Sequence, residues 1–463
     1  MDLQQRVVDY ALSLGADYAA TMYHTLNSAT ITAENGILKS FEASEARGLG
    51  IRTIVDGAVG IASSTVLQFQ ILKKNTAQAV RMAKAARGHI EASKLAEAEP
   101  LSASVKSPWK TSPEKVSDEE KIRLVLEANR AASLDGIKNY VTYLGWLTER
   151  RVFASSEGAQ VERELMMTGL GQLAVAEFEG RMESVSDSRS RCAGFEFISD
   201  MDWTGFAREV AQTANRAVRA RAPKGGNYPV IADPDLIGLI LHEALGHGAE
   251  GDLVTTRESV LEGKLGQPVA SPLVTIADEG VVEDGYYLPF DDEGIRKTRS
   301  VVVEKGILKG YLQSRSTASK LGTASTGNAR AQSFAHRPIV RQTNFLMEGG
   351  DSEVEELFEG VQDGFYICGR GARGGEVDVG QGTFTFRAGP SFAVRKGEVA
   401  EMVRGVSLSG MVLDALNQIS AVGKDVKART SIFGGCGKDG QRAHVGHGGP
   451  HVRFERMSIG GSS

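Results

Sequence analysis

Cysteine is scarce in this chain. Its 463 residues include three, Cys192, Cys368 and Cys436. So sparse and odd a count excludes a disulfide framework and points to a reducing compartment, the cytoplasm. Cys192 and Cys368 read as small buried hydrophobes. Long apolar runs are missing too. None approaches the roughly 18 residues of a membrane-spanning helix, and Leu236–Leu241 is interrupted by Gly238. The first residues, MDLQQRVVDYALSLGADYAA, pattern as an amphipathic helix and lack the basic start, apolar centre and cleavage site of a signal peptide. Neither sign of charge dominates: 53 basic side chains face 58 acidic ones, a net charge of −5. That removes the basic footprint expected of a nucleic-acid binder. No direct nucleic-acid or membrane partner is therefore expected.

What is present is a folding composition, 41% apolar and 24% charged. At roughly 100–200 residues per domain, two to four domains fit this length. Glycine divides the chain, since the first 224 residues hold only 15 of its 54 glycines. The three tryptophans, Trp109, Trp146 and Trp203, all fall in that first part. The segment RAPKGGN (221–227) supplies turn chemistry at the change, which predicts domains over residues 1–222 and 223–463. The expected class is α+β. In the first domain, helices over 2–14, 67–87, about 117–134 and about 203–222 alternate with strand groups. Asn35-Gly36 and Asp56-Gly57 are hairpin signals. Residues 93–116, rich in Ser, Lys, Ala and Pro, read as an exposed connection. The order helix, strands, helix occurs twice, without a residue-level repeat. The second domain is mostly β, barrel- or sandwich-like, with short strands cut by Gly and Asp. It carries one strong helix, and another near 410–422 interrupts the strands.

The strong helix is the chemical signal. In ADPDLIGLILHEALGHGAEGD (232–252), Asp233 suits the N-cap, Pro234 the first helical position and Asp235 the positive helix end. Leu236, Ile237, Leu239, Ile240 and Leu241 are apolar nearly all round, as in a buried helix. His242, Glu243 and His247 follow at its far end. Burying these groups is costly unless they are bonded or ligate a metal. The spacing His-Glu-x-x-x-His is one residue longer than that of the familiar zinc helix. Residues five apart on a regular α-helix differ by roughly 140° around the axis. Shared ligation thus requires a helix widened by one residue, or one that ends between the histidines. Gly246 makes either distortion cheap; otherwise the pair are unrelated helix-end histidines. A catalytic zinc usually has three protein ligands and an open position. Glu250 and Cys436, the latter in FGGCGKDGQ, are both candidates for the third.

Five blocks in order, HEALGHGAEGD, SPLVTIADEG, FDDEGIRKT, STGNARAQSFAHRPIVRQTN and GCGKDGQ, resemble the TldD branch of the TldD/PmbA family. RGLGIRTIVDGAVGIASS resembles its N-terminal region, and the likeness extends from about residue 5 to residue 460. The resemblance implies a metallopeptidase with an N-terminal α/β domain and a C-terminal β domain. It implies Zn2+ held by His242, His247 and Cys436. It implies peptide or unfolded-polypeptide substrates, and a homodimer or a heterodimer with a PmbA-like subunit. The PmbA-like branch lacks these ligands, which this sequence keeps. Glu243, beside a ligand, is then the expected catalytic residue, a general base that activates water and returns the proton to the leaving amine.

Arg330, His336, Arg341 and His447 are candidates for substrate binding. His444, His447 and His451 equally fit a glycine-rich turn with incidental histidines. Asp291, Asp292 and Glu293 read as a solvent-facing acidic turn. Two other readings compete: a non-catalytic PmbA-like partner or scaffold with a structural metal, and a thiol enzyme using Cys436 as nucleophile.

Overall fold

The computed structural model describes residues 2–89, 91–371 and 375–461. Its first part runs α1 (Asp2–Ser13), β1 (Tyr18–Glu34), β2 (Ile37–Val55), β3 (Ala58–Ser64) and α2 (Phe69–Ala86). Then come β4 (Ser102–Lys106), α3 (Asp118–Ala131), β5 (Ile137–Ser155), β6 (Gln160–Phe178), β7 (Arg181–Arg191), α4 (Phe195–Ser199) and α5 (Trp203–Ala217). The strands form one seven-stranded sheet in the order β3-β2-β1-β5-β6, with β4 and β7 sharing the far side of β6. Asn35-Gly36 and Asp56-Gly57 both make their turns with positive φ, which suits the twist of a two-residue hairpin. The repeated order is visible as α1-β1-β2-β3-α2 and α3-β5-β6-β7-α5, whose first strands pair at the sheet's centre.

Alternation along β1 sorts its two faces. Ala19 and Ile31 pack under α1, α2, α3 and α5. Ala20 and Met22 point the other way, where Phe153 and Phe290 join them, so the opposite face meets the C-terminal part. One expectation fails here. The stretch read as an exposed connection contains β4, paired in parallel with β6. Its sequence SASVK alternates only weakly, and half of the strand stays exposed.

The C-terminal part begins with β8 (Gly226–Ala232), placed between strands 452–461 and 363–367 of a nine-stranded sheet. A six-stranded sheet lies opposite, with strands 276–279, 344–347 and 446–449 adjacent within it. Among the described residues neither sheet closes into a barrel. Between them runs α6 (Pro234–Ile240) and its continuation. Leu236, Ile237, Ile240, Leu241, Ala244 and Leu245 are completely buried against Phe365, Phe386 and Phe454 on one side and Ile276, Phe345 and Met347 on the other. An apolar helix between two sheets explains the absence of a polar face. The helix expected near 410–422 is a short one, Val412–Asn417, between two strands.

Candidate metal centre

Asp233 follows β8 and caps α6, accepting the N–H of Leu236 at 2.8 Å and that of Gly369 at 2.9 Å. Beyond Ile240 the helix widens. Leu241–Gly246 is π-helical, and the N–H of His247 donates to the carbonyl of His242, five residues back, at 3.3 Å. The extra residue in the turn removes most of the angular separation a regular helix would impose. The two imidazoles stand 5.1 Å apart between ring centres. Of the two distortions the spacing allowed, the widened turn is the one present.

Gly246 is needed for space. Its φ lies outside the left-handed region, but a Cβ there would stand 2.0 Å from Oε1 of Gln342. That amide wedges against the widened turn, its Nε2 donating to the His242 carbonyl at 2.9 Å. The expected reason, backbone freedom, is therefore replaced by close approach. Gln342 lies almost a hundred residues away, and nothing in its local sequence marks it.

Cys436 comes from a hairpin of strands 436–438 and 441–443, turning at Asp439 and Gly440, both at positive φ. Its Sγ is 3.0 Å from Nε2 of His247. One ligand atom from each of His242, His247 and Cys436 lies within 4.8 Å of the others, and all three residues are buried. Nδ1 of His242 is buried with no hydrogen-bond partner. Two imidazole nitrogens and a sulfur, one nitrogen unpaired, are a donor set that fits a metal ion of the zinc type. Burial, with His247 and His447 adding to it, holds the His242 ring well below its usual pKa, hence neutral. Burial opposes charge on His247 as well. The Glu250 carboxylate and Cys436 outweigh it and hold that ring well above the usual value.

Glu243 follows directly. Its Oε2 is 3.9 Å from Nε2 of His247, and its side chain keeps 33% exposure while the trio is closed in. Burial raises its carboxyl above the usual range, against the pull of His247. Glu250 faces Nδ1 of His247 at 3.1 Å, the ring nitrogen opposite Cys436.

Arg341 is almost completely buried; its guanidinium donates to the carbonyls of Cys436 (2.5 Å) and Gln441 (3.2 Å), holding both strands of the cysteine hairpin. Arg330 donates to the carbonyls of Gln342 and His444 and lies over the Tyr286 ring. His336 meets Oγ of Ser333 at 2.8 Å and lines a cavity against β1 and β2, apart from the converging atoms. His447 lies 6.3 Å from the His242 ring and lines a cavity of about 260 Å³ with Leu239, Asp235, Arg370 and Arg429. His444 donates its Nδ1–H to the Ser431 carbonyl at 3.0 Å, and His451 pairs with Asp425 at 2.7 Å. Asp291, Asp292 and Glu293 do not face solvent. They are buried against the first sheet, where Asp292 meets Arg151 at 2.7 Å and Glu293 meets Arg52 at 2.6 Å. Asp291 accepts three main-chain N–H groups. Partners more than a hundred residues away make that burial possible.

The C-terminal domain of the PmbA/TldA metallopeptidases matches residues 225–461, their central domain residues 111–218, and their first domain residues 21–87. The chain belongs to the PmbA/TldD metallopeptidase family. It is 35% identical to a metalloprotease of Methanothermobacter thermautotrophicus, over 100% of this chain and 97% of that one. It is 30% identical to the zinc metalloprotease TldD homolog of Saccharolobus solfataricus, over 76% and 77%. The fold is also that of TldE from Thermococcus kodakarensis, with a TM-score of 0.80, 20% identity, and 99% and 100% of the two chains covered. Among the described residues, no helix is long and apolar enough to cross a membrane.

Proposed function

We propose that this chain is a zinc metallopeptidase whose ligands are His242, His247 and Cys436. The observation that supports this most directly is the convergence of three buried donors, within 4.8 Å, across a helical turn widened by one residue. Zinc held there would polarise a peptide carbonyl and bring the pKa of a water to about 7. Glu243 takes the proton from the attacking water and gives it to the departing amine. Its partial exposure admits the substrate, and its raised carboxyl suits a group that must hold a proton between the two steps. Residues 223–463 carry this chemistry. The substrates we assign are peptides or unfolded segments able to enter a narrow cleft. Arg330, His336, Arg341 and His447 are its candidate contacts. The active unit is a homodimer or a pairing with a PmbA-like subunit, in the cytoplasm.

Peptide cleavage measured together with zinc content tests the proposal. Wild type should hold about one zinc per chain, as three-ligand catalytic sites do. His242→Ala, His247→Ala and Cys436→Ala should each lose zinc and cleavage together. A Cys436→Ala enzyme that keeps both its zinc and its cleavage would refute the ligand set. A second reading draws on the 3.0 Å contact between Cys436 Sγ and His247 Nε2, which is also the geometry of a thiol nucleophile and its base. Alkylation decides between them: a zinc ligand is protected until a chelator is added, whereas a free nucleophile reacts at once.

A further inference from the structure

The two ring nitrogens of His247 have different neighbours. Nε2 faces Cys436, and Nδ1 faces Oε2 of Glu250 at 3.1 Å. Glu250 is completely buried and occupied on both oxygens. Oε1 accepts the main-chain N–H of Gln342 at 3.3 Å, and Oε2 also accepts Nζ of Lys438 at 2.8 Å. Lys438 is bound in turn by Asp252 Oδ1 at 2.6 Å and by the Val340 carbonyl at 3.1 Å. Lys438 stands two residues after Cys436 in one strand, so both side chains leave on the same face, toward the end of the widened helix.

We propose that Glu250, held in place by Lys438, is a positioning residue of the metal centre. It accepts the Nδ1–H of His247, which leaves Nε2 as the nitrogen turned toward Cys436 and the ion. This rests on the metallopeptidase reading above. The two nitrogens of a histidine are distinct, and the bond made by one fixes the role of the other. A metal-bound histidine commonly donates its second N–H to a carboxylate or carbonyl, and loss of that partner weakens metal binding.

A general structural ion pair would explain less. Burying a lysine and a carboxylate costs desolvation, and apolar side chains of similar size often hold two elements together as well or better. What an apolar replacement cannot do is orient an imidazole. The charged arrangement is also asymmetric in a way that matches the role. His247 has the carboxylate, while Nδ1 of His242 has no hydrogen-bond partner. Gln342 links the two, its main-chain N–H on Glu250 and its side chain on the His242 carbonyl.

The test is zinc affinity of the full chain, by competition with a chromophoric chelator, for wild type, Glu250→Gln, Lys438→Met and the double variant. Glu250→Gln should weaken zinc binding by roughly 10–100-fold, the range for lost outer partners of ligating histidines. Lys438→Met should weaken it less, and the double variant should be no weaker than Glu250→Gln, because Lys438 acts through Glu250. Should Glu250→Gln fail to fold, Lys438→Met still has to lower the affinity. Wild-type affinity in either single variant overturns the proposal. So do two losses that simply add. Zinc retained by Cys436→Ala but lost altogether by Glu250→Gln would make Glu250 a ligand and overturn it as well. A wild-type chain that binds no zinc contradicts the metallopeptidase reading itself, a result separate from all of these.

Discussion

Glu243 and His242 are neighbours in sequence with opposite protonation problems. Burial makes the imidazole hard to charge and the carboxyl easy to protonate. For the mechanism proposed above, the first suits a neutral donor and the second a group that exchanges a proton. Substituting Glu243→Gln keeps size and removes that exchange. The variant should fold and hold zinc as wild type does, and should lose about 10²–10⁴-fold or more in peptide cleavage. Zinc content and cleavage measured on the same sample check this. Lost zinc in that variant would make Glu243 part of the binding site instead. The sequence singles this residue out because it stands directly beside a candidate ligand histidine. The choice between Glu250 and Cys436 was open from spacing alone. It takes coordinates to see that they meet opposite nitrogens of one ring. Lys438 was not legible, because its alternation with Cys436 depends on a strand of only three residues that the glycines around it conceal.

The element that matters most is the widened turn. Five-residue spacing of the histidines required an irregular helix, and the π turn from Leu241 to Gly246 supplies it. The turn's limits come from Gln342, which sequence gave no means of finding. A methyl group at Gly246 would meet the Gln342 amide, so Gly246→Ala should cost about 1–3 kcal/mol, the range for overpacking a filled core. It should also lower zinc occupancy without altering a ligand. Shortening the wedge at the same time, as in Gly246→Ala with Gln342→Ala, should recover part of the stability, though the bond to the His242 carbonyl is then lost. Thermal unfolding of the two variants decides this: no recovery at all would mean that the glycine serves the backbone rather than the space. Caps and turns were the most legible features at this scale. The N-cap at Asp233 and the hairpin turns at Asn35 and Asp56 depend on residues within a few positions of each other. The parallel strand β4 was not legible, because its partner lies more than fifty residues on.

Charged groups join the first sheet to the two C-terminal sheets. Asp187 of β7 is nearly buried and receives Arg429 at 3.0 Å, Arg370 at 2.9 Å and Arg189 at 3.3 Å. Burial would raise its pKa, but Arg429, Arg189 and Arg370 together outweigh this and lower it. A carboxylate with a depressed folded pKa adds stability that is present above its unfolded value, about 3.9. That stability is lost as pH falls through the folded value. Asp187→Asn should therefore be less stable than wild type at neutral pH, by ~1–3 kcal/mol. The gap should narrow as pH drops below about 4. Denaturant unfolding at several pH values checks it, and a gap that widens toward acid would reverse the sign. Such contacts span the chain, as do those of Asp292 and Glu293, and composition cannot reveal them. That is why an acidic run with the look of a surface turn lies at an internal junction.

The claim on which the account turns is that one ion is held by two imidazoles and one thiolate. X-ray absorption at the zinc edge of the purified full chain tests it most directly. The account predicts about one zinc per chain, with one sulfur near 2.3 Å and two nitrogens at roughly 2.0–2.1 Å, and a sulfur contribution that disappears in Cys436→Ala. A protein without zinc, or a zinc spectrum without sulfur that Cys436→Ala leaves unchanged, would contradict it.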